Sequence, residues 1–175
     1  MIHQSYQLKK ILPALVQHNM KHAGQFKDYA LGNPIPINNP QDMQNHVVAT
    51  LFNLGTKSFS GADNRDFFYH SASNTLIIIN SGKDQNGNIY GGSAFRPDRK
   101  GGYFEDLYQY EAQRLGREPL LQRQGGIMAL RPEVAREFAK GISATNGKRC
   151  IHGAKRQSPT TWSRQACNCW RQGSN

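Results

Sequence analysis

Disulfide cross-linking is the first thing this chain lacks the means for. Its three cysteines, Cys150, Cys167 and Cys169, all lie near the C-terminus, so no disulfide framework holds the body of the chain together. Its stability must come from burying apolar side chains, which suits a fold assembled in a reducing compartment. Long apolar runs are missing too. The stretch from Leu76 to Ile79 is as long as any, far short of the ~20 residues that span a bilayer, which excludes a transmembrane helix. Near the N-terminus, Lys9 and Lys10 precede an apolar patch at 11–16, but Pro13 interrupts it and no small-residue cleavage site follows. No secretory signal is expected. A basic helix with a strong apolar face opposite is absent as well, so no membrane-surface partner is expected. Acidic residues are scarce: 12 against 22 Lys and Arg give a net charge of +10, and none occurs after Glu137. That balance is the electrostatic footprint of a protein that binds a polyanion, with nucleic acid the first candidate.

At 175 residues the chain fits one domain with an appendage, and no internal repeat divides it. Apolar residues at Leu8, Ile11, Leu12, Leu15 and Val16 recur with a helical period, which Pro13 is expected to limit or kink. Gly32, Pro34, Pro36 and Pro40 mark an extended connection, after which Met43, Val47, Val48, Leu51 and Leu54 predict a second amphipathic helix over 41–54. The pattern then changes to strands at 66–70, 75–80 and 89–95, separated by turn-forming Ser, Asn and Gly. Helices are predicted again over 103–115 and from Pro132 to about Lys140, proline being favoured at a first helical position. The expected class is therefore α+β, with N-terminal helices packed on a small antiparallel sheet and followed by further helices. The expected divisions are a core at 1–105, a helical extension at 106–142 and a basic tail at 143–175. That tail carries six of the basic residues, Lys148, Lys155, Arg149, Arg156, Arg164 and Arg171, among Ser, Thr, Gln and Gly.

Two segments carry side chains suited to phosphodiester chemistry. In KHAGQFK, Lys21, His22 and Lys27 fall within one or two helical turns. Neighbouring ammonium groups attract a phosphate and favour the neutral, basic form of the imidazole. Its bland counterpart is a surface helix that holds a His between lysines. In GGSAFRP, Ser93 and Phe95 share one face of a strand that Pro97 ends, leaving Arg96, Arg99 and Lys100 beside them. An edge strand finishing in a solvated basic turn would look the same. The aromatic residues Tyr103, Phe104, Tyr108 and Tyr110 read at helical spacing as core, with one Tyr exposed.

Taken in order, the Lys21 to Phe26 segment, a helix carrying His46, Phe68 and Tyr69 before Asn74, the apolar strand at 76–79 and then Ser93, Ala94, Phe95 and Arg96 resemble the catalytic domain of the colicin D family. They are also similar to toxin tips of contact-dependent inhibition systems. The resemblance covers about residues 18–105. It implies a barnase-like α+β fold and a toxin ribonuclease that cuts RNA, in the colicin D case in a tRNA anticodon loop, by transesterification to a 2′,3′-cyclic phosphate without a metal or other cofactor. On the matched positions it implies His22, Lys21, Ser93 and Arg96 as catalytic residues with Phe95 at the substrate, and Lys27, His46, Tyr69, Arg99 and Lys100 are the further candidates for substrate contact. A further family lysine falls at Asn19, and the family's strand tryptophan at Phe95. An acidic immunity or antitoxin protein is the implied partner, and the bacterial cytoplasm, with delivery from another cell as a route to it, the implied place of action.

Cys150, His152, Cys167 and Cys169 offer zinc-type ligands, but their C-x-H and C-x-C spacings are tighter than usual zinc motifs, so no metal site is expected. Two other functions fit the composition: a non-catalytic nucleic-acid-binding accessory protein of a plasmid or phage, and a nuclease-like fold acting as a protein inhibitor. The feature that separates them from an enzyme is whether His22 and Arg96 converge on one cleft.

Overall fold

The computed structural model describes residues 6–27, 32–99 and 101–147. Helix α1 (Leu8–Asn19) runs directly into a 3-10 helix (Met20–Gln25), and after an extended connection comes α2 (Pro40–Phe52). Strands β1 (Thr56–Ser60), β2 (Arg65–His70), β3 (Thr75–Lys83) and β4 (Ile89–Phe95) follow, then α3 (Gly102–Leu115), α4 (Gly126–Leu130) and α5 (Pro132–Gly147). The class is α+β. The sheet is an antiparallel meander in the order β1-β2-β3-β4, with helices before and after it.

Each early helix forms for a local reason. In α1 the buried stripe is Leu8, Ile11, Leu12, Leu15 and Val16. Pro13 does not end the helix, and it lies on the exposed side, away from the buried stripe. Helix α2 begins where Asn39 caps it, its Oδ1 accepting from the Asp42 N–H at 2.9 Å, with Pro40 at a position that needs no N–H.

Strand β1 is the element that the sequence pattern missed. Phe59 is its one large apolar residue, and the inward positions of its other face are Thr56 and Ser58. Those hydroxyls are buried at no cost in unpaired groups. Thr56 donates to the Thr50 carbonyl at 2.7 Å and Ser58 to the Gly126 carbonyl at 3.0 Å.

Alternation along the strands gives two cores. Phe68, Ile77, Ile79 and Ala94 face α1, α2, α4 and α5, packing with Leu12, Leu15, Val47, Leu51, Val134 and Phe138. Phe59, Phe67, Tyr69 and Leu76 face α3 and pack around Phe104. The helices after the sheet therefore cover it and do not extend from it. The expected boundary at 105/106 falls inside α3, and the described residues up to Lys140 form one compact unit. Helix α5 passes the expected Lys140 end.

A buried ion pair joins the two sides of the chain. Asp66 is 1% exposed, and Arg131 donates to it from Nε at 2.9 Å and Nη2 at 3.1 Å, while Ser60 donates to it at 2.6 Å. The Arg131 fork thus ties the start of α5 to β2.

The tightest approach is at Gly91 and Gly92. Gly92 has φ +126°, and a Cβ there would lie 1.8 Å from the Ile78 carbonyl oxygen; at Gly91, φ +79°, a Cβ would lie 3.0 Å from the Leu15 N of α1. Two changes test this framework by urea unfolding. Gly92→Ala combines backbone strain with a clash against β3 and is expected to cost about 3 kcal/mol or more. Arg131→Ala leaves Asp66 buried without its partner and is expected to cost about 3–5 kcal/mol. Midpoints unchanged from the parent protein would contradict both assignments.

Candidate active site

The two segments singled out in the sequence meet at the free edge of the sheet. Helix α1 packs along β4, the terminal strand, and the 3-10 helix that continues it reaches the end of that strand. Asn19 fixes the junction: its Nδ2 donates to the Leu15 carbonyl at 2.6 Å and to the Gly92 carbonyl at 3.2 Å.

A pocket of about 740 Å³ opens there, within the ~300–1,000 Å³ usual for small-molecule sites and larger than a phosphate alone needs. Its walls are His22, Gln25 and Lys27 from the 3-10 helix and the residues after it, Phe95, Arg96 and Asp98 from the end of β4 and beyond, and Tyr103 from the first turn of α3. His22 and Arg96 therefore converge on one cleft. The His22 and Phe95 ring centroids lie 6.3 Å apart, and Tyr103 meets Phe95 edge to face at 5.9 Å. Nδ1 of His22 is buried and has no hydrogen-bond partner among the described residues. Such a group is uncommon in a folded protein and is stabilised once a donor or acceptor reaches it. Three basic side chains and one carboxylate, Asp98, line the cleft, so it favours an anion.

The base under His22 is rigid. Phe26, fully buried, closes the 3-10 helix, and the Phe26 carbonyl accepts from Ile35 N–H at 3.2 Å, which pairs the Lys27 segment with the Pro34 segment. The His46 ring packs on Phe26 at 4.7 Å, and its Nε2 lies 3.1 Å from Thr75 Oγ1. Burial, with His70 adding to it, lowers the His46 pKa to about 4.

Not every sequence candidate reaches the pocket. Lys21 is exposed on the 3-10 helix and Ser93 is half-buried one pleat back from Phe95; neither lines it. His46 and Tyr69 were expected beside the substrate, but His46 supports Phe26 from within, and Tyr69 is 2% exposed with its hydroxyl donating to Asn74. Arg99 is exposed and ion-paired with Asp106. Lys100, Cys150, His152, Cys167 and Cys169 and the basic tail beyond 147 lie outside the described residues.

Gln25, Asp98 and Tyr103 are pocket residues that the sequence reading did not select. Tyr103 was assigned to the core with one exposed Tyr in its helix. Instead Phe104 and Glu111 turn inward, while Tyr103 and Tyr110, seven residues apart on one helix face, are 38% and 55% exposed. Comparison with protein-family models, with curated proteins and with solved structures gives no match.

The support beneath His22 is testable by pH. His46 titrates at about 4 in the fold and near ~6.5 when unfolded. Below pH ~6.5 the unfolded chain takes up a proton that the fold refuses, so this stabilisation is complete above that pH and is lost as pH falls toward 4. Over that window the loss is expected to be about 3 kcal/mol. Urea midpoints measured from pH 7 to pH 5 should fall less in His46→Leu than in the parent, and parallel curves would contradict the assignment.

Proposed function

We propose that this protein is a toxin-type endoribonuclease that cuts RNA by 2′-hydroxyl transesterification, with His22 as the proton-transfer group and Arg96 and Lys27 as the cations that meet the scissile phosphate. The observation that supports it most is the convergence of His22, from the 3-10 helix before the sheet, and Arg96, just after its last strand, on one cationic pocket. On this reading the 2′-hydroxyl gives its proton to the imidazole and its oxygen attacks phosphorus. A pentacoordinate anion develops, which Arg96 stabilises, and the P–O5′ bond breaks as the 5′-oxygen takes a proton from water, which the imidazolium proton restores. The products are a 2′,3′-cyclic phosphate and a 5′-hydroxyl. Tyr103 and Phe95 offer ring surface to a base next to the cut.

The chemistry uses ionisable side chains and needs no divalent ion. A tRNA anticodon loop is the proposed target, following the resemblance of the Lys21 to Phe26 and Ser93 to Arg96 segments to the colicin D family. An acidic immunity protein covering the basic cleft is the proposed partner, and the bacterial cytoplasm the proposed place of action.

Incubation of the purified protein with total tRNA in EDTA, followed by sequencing of the ends, tests the reaction. Cleavage is expected to persist in chelator, to vanish in His22→Ala and to leave DNA intact, because DNA lacks the nucleophile. RNA that is bound but never cut would favour the non-catalytic accessory role that the net charge of +10 also allows. Arg96→Ala should lower kcat by about one to two orders of magnitude, with a smaller defect in Arg96→Lys, which keeps charge but not the planar fork. Arg99→Ala, outside the pocket, should leave kcat nearly unchanged. Tyr103→Ala should raise KM by about tenfold, the loss of one base-stacking surface. Equal kcat for Arg96→Ala and Arg99→Ala would remove Arg96 from the transition state.

A further inference from the structure

Pairing of β3 with β4 ends at Leu76 and Phe95. Two residues further, Pro97 has no N–H with which to continue the ladder past Arg96. A side chain takes over where the backbone stops. Asn74, in the turn between β2 and β3, is 1% exposed and has φ +45°. Its Nδ2 donates to the Pro97 carbonyl at 2.9 Å, and its Oδ1 accepts from the Tyr69 hydroxyl at 2.9 Å. Tyr69 is itself fixed by stacking on Phe104 of α3, ring centroids 5.4 Å apart.

Few residues satisfy that position. Asparagine tolerates left-handed backbone better than most, and its amide supplies a donor and an acceptor at a fixed separation. Aspartate keeps the acceptor for Tyr69 and loses the donor for Pro97. Glycine keeps the backbone and loses both.

We propose that Asn74, oriented by Tyr69, is a positioning residue that holds the Arg96 arm at the pocket; the functional part of this rests on the ribonuclease reading above. The side chain gives the Pro97 carbonyl a donor just beyond the last pair of the ladder and links the α3 core to the cation beside the substrate. It touches no substrate, so its effect passes through Arg96.

Two measurements test this separately. The first needs no activity: in protein labelled with 15N-arginine, the side-chain resonance of Arg96 is followed in Asn74→Gly, Asn74→Asp and Tyr69→Phe. It is expected to shift and broaden in both Asn74 variants and less in Tyr69→Phe, while those of Arg65 and Arg131 stay in place. An unmoved Arg96 resonance in folded Asn74→Gly overturns the proposal, and movement of all three would mark a general loss of structure and overturn it too. The second is a double-mutant cycle on tRNA cleavage. Asn74→Gly is expected to lower kcat by about 10- to 100-fold with KM little changed, the usual cost of displacing a catalytic group by about an ångström. In the Arg96→Ala background the same change should matter less than about twofold. An equal loss in both backgrounds would make Asn74 a structural residue and overturn its positioning role. If the parent protein cuts no RNA at all, the ribonuclease reading fails, and the resonance of Arg96 alone decides whether Asn74 holds the arm.

Discussion

A side chain at Gly92 would collide with the Ile78 carbonyl, and one at Gly91 would press on the backbone of α1. The bare backbone of Gly91 is what lets α1 lie directly along the edge strand, and that of Gly92 lets the edge strand pair closely with β3. From that approach the rest of the pocket follows. Asn19 hydrogen-bonds the end of α1 to Gly92, the 3-10 helix leaves from that fixed point, and His22 arrives beside Phe95. A helix held further out would leave the histidine and the arginine on separate surfaces, whatever their chemistry.

Polar groups inside the fold are used in the same way, as joints between segments distant in sequence. Asp66 holds Arg131 and Ser60, Glu111 accepts from the Ala62 N–H and Arg65, and Asn74 joins Tyr69 to Pro97. Because a buried donor or acceptor left without a partner costs about 1–3 kcal/mol, each joint fixes one arrangement against its neighbours. One of them bears on the pocket, the Asn74 contact that reaches the arm carrying Arg96, while the His46 ring packs on Phe26 at the end of the 3-10 helix. The cleft is built on packed elements on both sides, which is what a reaction sensitive to ångström displacements needs.

Much of this architecture was legible in the residues. Helix α1 and strand β4 were marked by their patterns, and the start of α2 by the Gly- and Pro-rich connection that ends at Pro40. Strand β1 was not, because two of its inward positions carry hydroxyls whose partners, the Thr50 and Gly126 carbonyls, belong to other elements. Tyr103 was misplaced for a related reason. Helical spacing tells which residues share a face but not which face meets the sheet, and here Phe104 and Glu111 face inward while Tyr103 meets the pocket.

Local rules act over a few residues, so the sequence by itself determined the α+β class, the strongly basic character, and the two segments, around His22 and Arg96, that carry ionisable and aromatic groups. Only the tertiary structure decided that these segments form one pocket, that His46 and Tyr69 support it from inside, and that Asp98, Gln25 and Tyr103 complete its wall. The physical reason is that a pocket depends on distances between side chains far apart along the chain. Those distances are set by how closely α1 can approach β4 and by which buried polar groups find partners, and neither is written in the spacing of residues along one segment.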